Sequence, residues 1–193
     1  MLPGLAEIFR GLNAAWRIAL FDPAAMRHFD LSERGFWRSF WAFALCLPFL
    51  LLSSRLFWFT APPEQVGDQS FAMLLIVQVG IFALSWGGFL LLMVPVAQLL
   101  GLGSQYVPYV IAWNWSQALL HLVMIPPTAV VILLDDASSA ATASLGMFAL
   151  ILSVSYSWLV ARVALAVGGL LATAVVLLEL LVVVLLQALT SAF

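Results

Sequence analysis

The sequence has no lysine, a single cysteine and few charges of either sign: charged side chains make up 8% of its 193 residues. Soluble domains carry about a quarter charged residues. This chain therefore has too little polar surface to build a water-soluble domain. One cysteine, Cys46, excludes a disulfide framework and a thiolate cluster of the zinc or iron–sulfur type. His28 and His121 fall at opposite depths of any bundle this chain could build, which excludes a haem held between them. The chain also lacks an HExxH pair, a GxSxG serine and an acidic cluster able to hold magnesium. The stretch LGLGSQ lacks the aspartate that an intramembrane aspartyl protease requires. The net charge of −2 argues against nucleic acid. No enzymatic activity, metal, cofactor or nucleic-acid partner is expected.

Apolar residues take up the space, at 65% of the chain with a mean hydropathy of +1.13. This composition points to an all-α integral membrane protein built as one compact bundle. Arginine as the sole basic side chain fits a bacterial genome rich in G and C. A spanning helix needs about 20 mostly apolar residues, each rising 1.5 Å through a hydrocarbon core of roughly 30 Å. Five segments qualify, at about 36–59, 71–100, 106–134, 140–160 and 168–189. The third holds Pro108 and the pair Pro126-Pro127, which predict a kink or a broken outer turn. The hinge between the last two is short and contains Gly168-Gly169, which predicts an antiparallel hairpin.

Residues 1–35 precede the five-helix domain of 36–193. Leu5, Ile8, Phe9, Leu12, Ala15, Trp16, Ala19 and Leu20 fall on one helical face, interrupted by Glu7, Arg10, Asn13 and Arg17, so this is not a secretory leader. The pattern predicts a cytoplasmic amphipathic helix lying in the interface, with Trp16 at the boundary and Arg10 and Arg17 toward lipid phosphates. A helix packed on the cytosolic end of the bundle accounts for it equally well. Arg10, Arg17, Arg27, Arg34 and Arg38 precede or begin the first span and Arg162 lies between the last two. With five spans these fall on one side, and positive flanks stay cytoplasmic. The N-terminus is therefore expected inside and the C-terminus in the periplasm, with Trp37, Trp41, Trp58 and Trp158 at the interfaces.

FDPAAMRHFDL leading into GFWRSFWAFALCLPFLLL, and LGLGSQYVPYV with Gly103, Tyr106 and Pro108, resemble the Yip domain family of small polytopic membrane proteins, bacterial type. The resemblance implies a membrane-shaping or adaptor role through protein or lipid contacts, with no catalytic residues to carry over. The acidic-aromatic motif that precedes the third helix in eukaryotic members is not recognisable here, so GTPase binding is not implied.

Polar residues in the spans recur at helical spacing: Asn114, Gln117 and His121; Gln78 and Ser85; Gly146, Ala149, Ser153 and Tyr156; Gly169, Ala172, Val176 and Glu179. Such stripes mark faces that meet other helices. Counted inward from the cytoplasmic ends, Glu179 lies roughly 16 Å deep and His121 roughly 21–22 Å deep. Both fall near the midplane, where an ionisable group is a functional candidate by default. Glu179, His121, Gln117, Asn114, Gln78 and Tyr156 thus form a candidate intramembrane network, with His121 as the expected partner of Glu179. One reading makes Glu179 hydrogen-bonding glue in a scaffold of the Yip type. A second makes Glu179 and His121 the relay of a small proton- or ion-coupled transporter. A third treats the chain as an accessory subunit of a larger membrane complex. The candidate partners are the lipid bilayer, a second copy of the chain or another membrane protein.

Overall fold

Every regular element in the computed structural model, which describes residues 3–61, 70–133 and 139–190, is helical. In chain order these are α1 (Leu5–Ala19), a 3-10 turn (Ala25–His28), α2 (Glu33–Ser39), α3 (Ala42–Thr60), α4 (Phe71–Leu99), α5 (Gly103–Leu133), α6 (Ser139–Ala164) and α7 (Gly169–Thr190). Five stretches are long and apolar enough to cross a bilayer: α2 with α3, then α4, α5, α6 and α7. The chain is therefore an all-α, multi-pass membrane protein. The expected spans agree with these helices to within four residues at each end.

Two local expectations change. The first span is split at Phe40-Trp41, where Trp41 N donates to Arg38 O and Phe43 N to Phe40 O, a tighter turn than an α-helix makes. The predicted break at Pro126-Pro127 is absent, since α5 runs through both prolines. Thr128 Oγ1 donates to Met124 O at 2.8 Å in the same turn.

The axis of the fold is α5. It packs against α1, α2, α3, α4 and α6, whereas α7 closes against α4 and α6. From Tyr109 to Ser116 every side of α5 is buried. Helices α4 to α7 form a ring in which α5 and α7 face each other diagonally, with α3 outside on α4 and α5. Tyr106 Oη donates to Leu90 O at 2.9 Å and ties the α4–α5 hairpin. The predicted α6–α7 hairpin is present, held by Trp158 Nε1 donating to Gly169 O and Thr173 Oγ1. Its left-handed residue is Ala166, with φ +54°, and not either glycine of the pair.

The α1 helix crosses α5 and α6 on a face of small residues, Gly11, Ala14 and Ala15, together with Ile18. A Cβ at Gly11 would collide with the Trp115 indole. Tyr156 Oη donates to Ala15 O at 2.6 Å, and Glu7 pairs with Arg38. The helix is thus packed on the bundle, and four large apolar residues on and just after it point outward: Leu5 is 75% exposed, Phe9 69%, Trp16 50% and Leu20 60%.

Asn114 Nδ2 donates to Ser39 Oγ at 2.8 Å, which sets the α2–α3 junction level with a residue well inside α5. Gly103 to Asn114 spans about 16 Å of helix. The α4–α5 hairpin therefore overhangs the start of α3 by roughly that distance.

Candidate functional site

Polar side chains from four helices meet at one half-open cavity of about 250 Å³ between the helices. Its lining includes Gln78, Ser85 and Trp86 from α4, Trp113 and Gln117 from α5, Ser153 from α6, and Glu179 and Gln187 from α7. Apolar wall is supplied by Leu50, Ile81, Phe82, Phe89 and Val183. Helical spacing explains the convergence. Gln78 and Ser85, seven apart, share a face of α4, and Trp113 and Gln117, four apart, share a face of α5.

Glu179 lies across the ring from α5. Its Oε1 accepts from Trp113 Nε1 at 3.1 Å and from Gln117 Nε2 at 3.0 Å. Its Oε2 is buried without a hydrogen-bond partner, and so is Trp86 Nε1. A second cavity, of about 290 Å³ between α6 and α7, also touches Glu179, along with Ser153 and Ser157. The carboxyl group thus stands between the polar cavity and an α6–α7 crevice.

Trp113 and Gln117 flank Asn114, which bonds Ser39, so Glu179 is level with the start of α3. Along α5 and α7 themselves, Gln117 and Glu179 stand near mid-helix. From Glu179 the cavity extends away from the α1 end to Gln78 and Gln187. Each of these lies eight residues beyond its level on its own helix, or about 12 Å.

The six-residue network separates into four environments. Glu179 and Gln117 are bonded, and Gln78 lines the same cavity. His121 is not the partner of Glu179: its ring packs edge-on against Phe49 and Phe82, each at 5.2 Å, and its Nδ1 meets Gln117 O at 2.7 Å. Asn114 bonds Ser39, and Tyr156 bonds the α1 backbone. The physical reason is angular. At about 100° per residue, His121 and Asn114 lie roughly 60–80° around α5 from the centre of the Trp113–Gln117 face, which turns them toward α3, α4 and α2.

On the α1 side, Arg17 Nη1 pairs with Asp22 at 2.8 Å and its Nε donates to Asn13 Oδ1, while Arg10 and Trp16 are exposed. The Ala24 backbone N–H, and after it the Arg17 guanidinium, hold the Asp22 carboxyl below its usual range. Arg55 lies 4.3 Å from the Phe59 ring centroid and 5.4 Å from that of Phe71. Glu64, Asp68, Asp135 and Asp136 lie outside the described residues. Among the described residues no three His, Cys, Asp or Glu come together as a metal site.

Trp113 and Trp86 are the site residues that polarity scanning of the sequence misses. The available signal was position: Trp113 precedes Gln117 by one turn, and an indole N–H counts as a polar group when buried. Comparison with known proteins adds no constraint, since no family model, curated protein or solved structure matches the chain.

Proposed function

We propose that the protein is a non-catalytic integral membrane scaffold or adaptor, the role implied by its resemblance to Yip-domain proteins. In this reading it sits in the bacterial cytoplasmic membrane, with the N-terminus and α1 at the cytoplasmic face and the C-terminus in the periplasm. The observation that carries it is the clamp on α1. Gly11 against Trp115, Tyr156 to Ala15 and Glu7 to Arg38 fix a helix that turns Leu5, Phe9, Trp16 and Leu20 outward. An apolar stripe flanked by Arg10 and Asn13 suits the headgroup layer or the apolar face of another membrane protein. The test is photocrosslinking in native membranes from Phe9 and Leu20. Reproducible capture of one protein or lipid class is expected. Random capture that tracks abundance would remove the scaffold reading. A C-terminal alkaline phosphatase fusion tests orientation and is expected to be active.

A small proton- or ion-coupled transporter is the second reading, favoured by the polar cavity at Glu179. Its relay would run through Gln117 and not through His121, which packs between two phenylalanines. Flux in proteoliposomes unchanged by Glu179→Gln would exclude it.

A further inference from the structure

The cavity beside Glu179 is lined by side chains of neighbouring helices, Glu179 on α7 and Trp86 on α4. One polar atom of each, Glu179 Oε2 and Trp86 Nε1, is buried without a partner. No basic side chain is among the residues that line the cavity. Arg17 pairs with Asp22 and Arg38 with Glu7, both on the α1 side. Ionised, Glu179 is a charge inside a membrane bundle, held by neutral N–H donors on Oε1.

The walls add a second constraint. Phe82, Trp86, Phe89 and Trp113 all border the cavity. Aromatic faces attract cations, and an aromatic enclosure is the recurrent way of holding an organic ammonium. A metal ion fits poorly here, because Glu179 is the only carboxylate at the cavity and hard cations take six or more oxygens. The volume of about 250 Å³ equals that of about eight waters, too small for a drug-sized ligand and large enough for a short amine.

We propose that this cavity binds a small organic ammonium group. Glu179 is its counter-ion and the aromatic residues are its walls. The source is either a free amine or amino alcohol, or the ethanolamine or choline end of a phospholipid. The site requires neither the scaffold nor the transport reading to be correct.

The test is calorimetric titration of the purified full chain in maltoside detergent with tetramethylammonium and ethanolammonium chloride. Sodium chloride and neopentyl alcohol serve as the charge-only and shape-only controls. Saturable binding of the ammonium compounds alone is expected, weakened about tenfold or more by Glu179→Gln, a loss of roughly 1.4 kcal/mol or more. Equal binding of neopentyl alcohol, equal binding by Glu179→Gln, or no saturable heat overturns the proposal. If Glu179→Gln does not fold, Trp86→Leu decides: weaker ammonium binding supports the site and unchanged binding removes it. Repeating the titration in nanodiscs distinguishes the sources. Lower apparent affinity in phosphatidylethanolamine than in phosphatidylglycerol marks the headgroup as the occupant, and equal affinity marks the free amine. No competition from a headgroup is compatible with the site, but loss of binding in both lipids overturns it.

Discussion

Glu179 is held by two N–H donors on one oxygen, and this predicts how substitutions rank. Glu179→Gln keeps a carbonyl acceptor for Trp113 and Gln117, so its thermal midpoint in detergent should stay close to that of the parent. Glu179→Ala leaves both donors buried and unpaired, at about 1–3 kcal/mol each, and should melt well below Glu179→Gln. The same midpoint for both variants would mean that the pair of bonds contributes nothing. Asp22 gives a pH prediction of defined sign. Its folded carboxyl titrates below the ordinary 3.8, so its stabilising contribution is present above that value and is lost as pH falls through the folded one. The stability gap between the parent and Asp22→Ala should be small, since solvent screens the pair, and should close in acid unfolding below pH 3.8. At this scale the sequence pointed to Glu179, Gln117 and Gln78, which the structure brings to one cavity. It misassigned His121 because i, i+3 and i+7 spacing spreads over a wide arc of helix, wide enough for adjacent members to face different neighbours.

The element most exposed to a single change is α1. Its docking face has no side chain at Gly11, where Trp115 occupies the space. Gly11→Leu should release α1 from α5, and limited proteolysis after Arg10 or Arg17 should then accelerate. Unchanged cleavage would show that α1 is mobile in the parent as well. In the α6–α7 turn, Ala166 occupies the left-handed region, with Val167 N donating to Arg162 O as in a helix-ending motif that favours glycine. Ala166→Gly should therefore stabilise by about 0.5–1 kcal/mol, read as a raised midpoint. Element positions were legible because 20-residue apolar runs leave little choice of boundary. Turn details were not: the Gly168-Gly169 pair drew attention away from Ala166, and Pro126-Pro127 signalled a break that α5 absorbs.

For the whole molecule, the hydropathy pattern gave five spans and an antiparallel hairpin, yet it could not set the helices at their relative heights. Hydropathy counts residues along each helix separately, whereas the overhang of the α4–α5 hairpin arises from side chains of different helices, Asn114 with Ser39. Spin labels placed at Phe9 and Leu20 should therefore report a depth similar to one at Phe36, and labels at Leu99 should lie farther out on the same side. A Leu99 label deeper in hydrocarbon than the Phe9 label would overturn that arrangement. The bond from Tyr156 to Ala15 joins positions 141 residues apart. During synthesis at about 5–20 residues per second, roughly 7–28 s separate the emergence of these two partners. The partners of α1 arrive in order, Arg38 first, then Trp115 and last Tyr156, so until α5 is made the docking face of α1 has to be sheltered by the membrane surface or by the insertion machinery, and the last-made half of the protein completes the seating of its first helix.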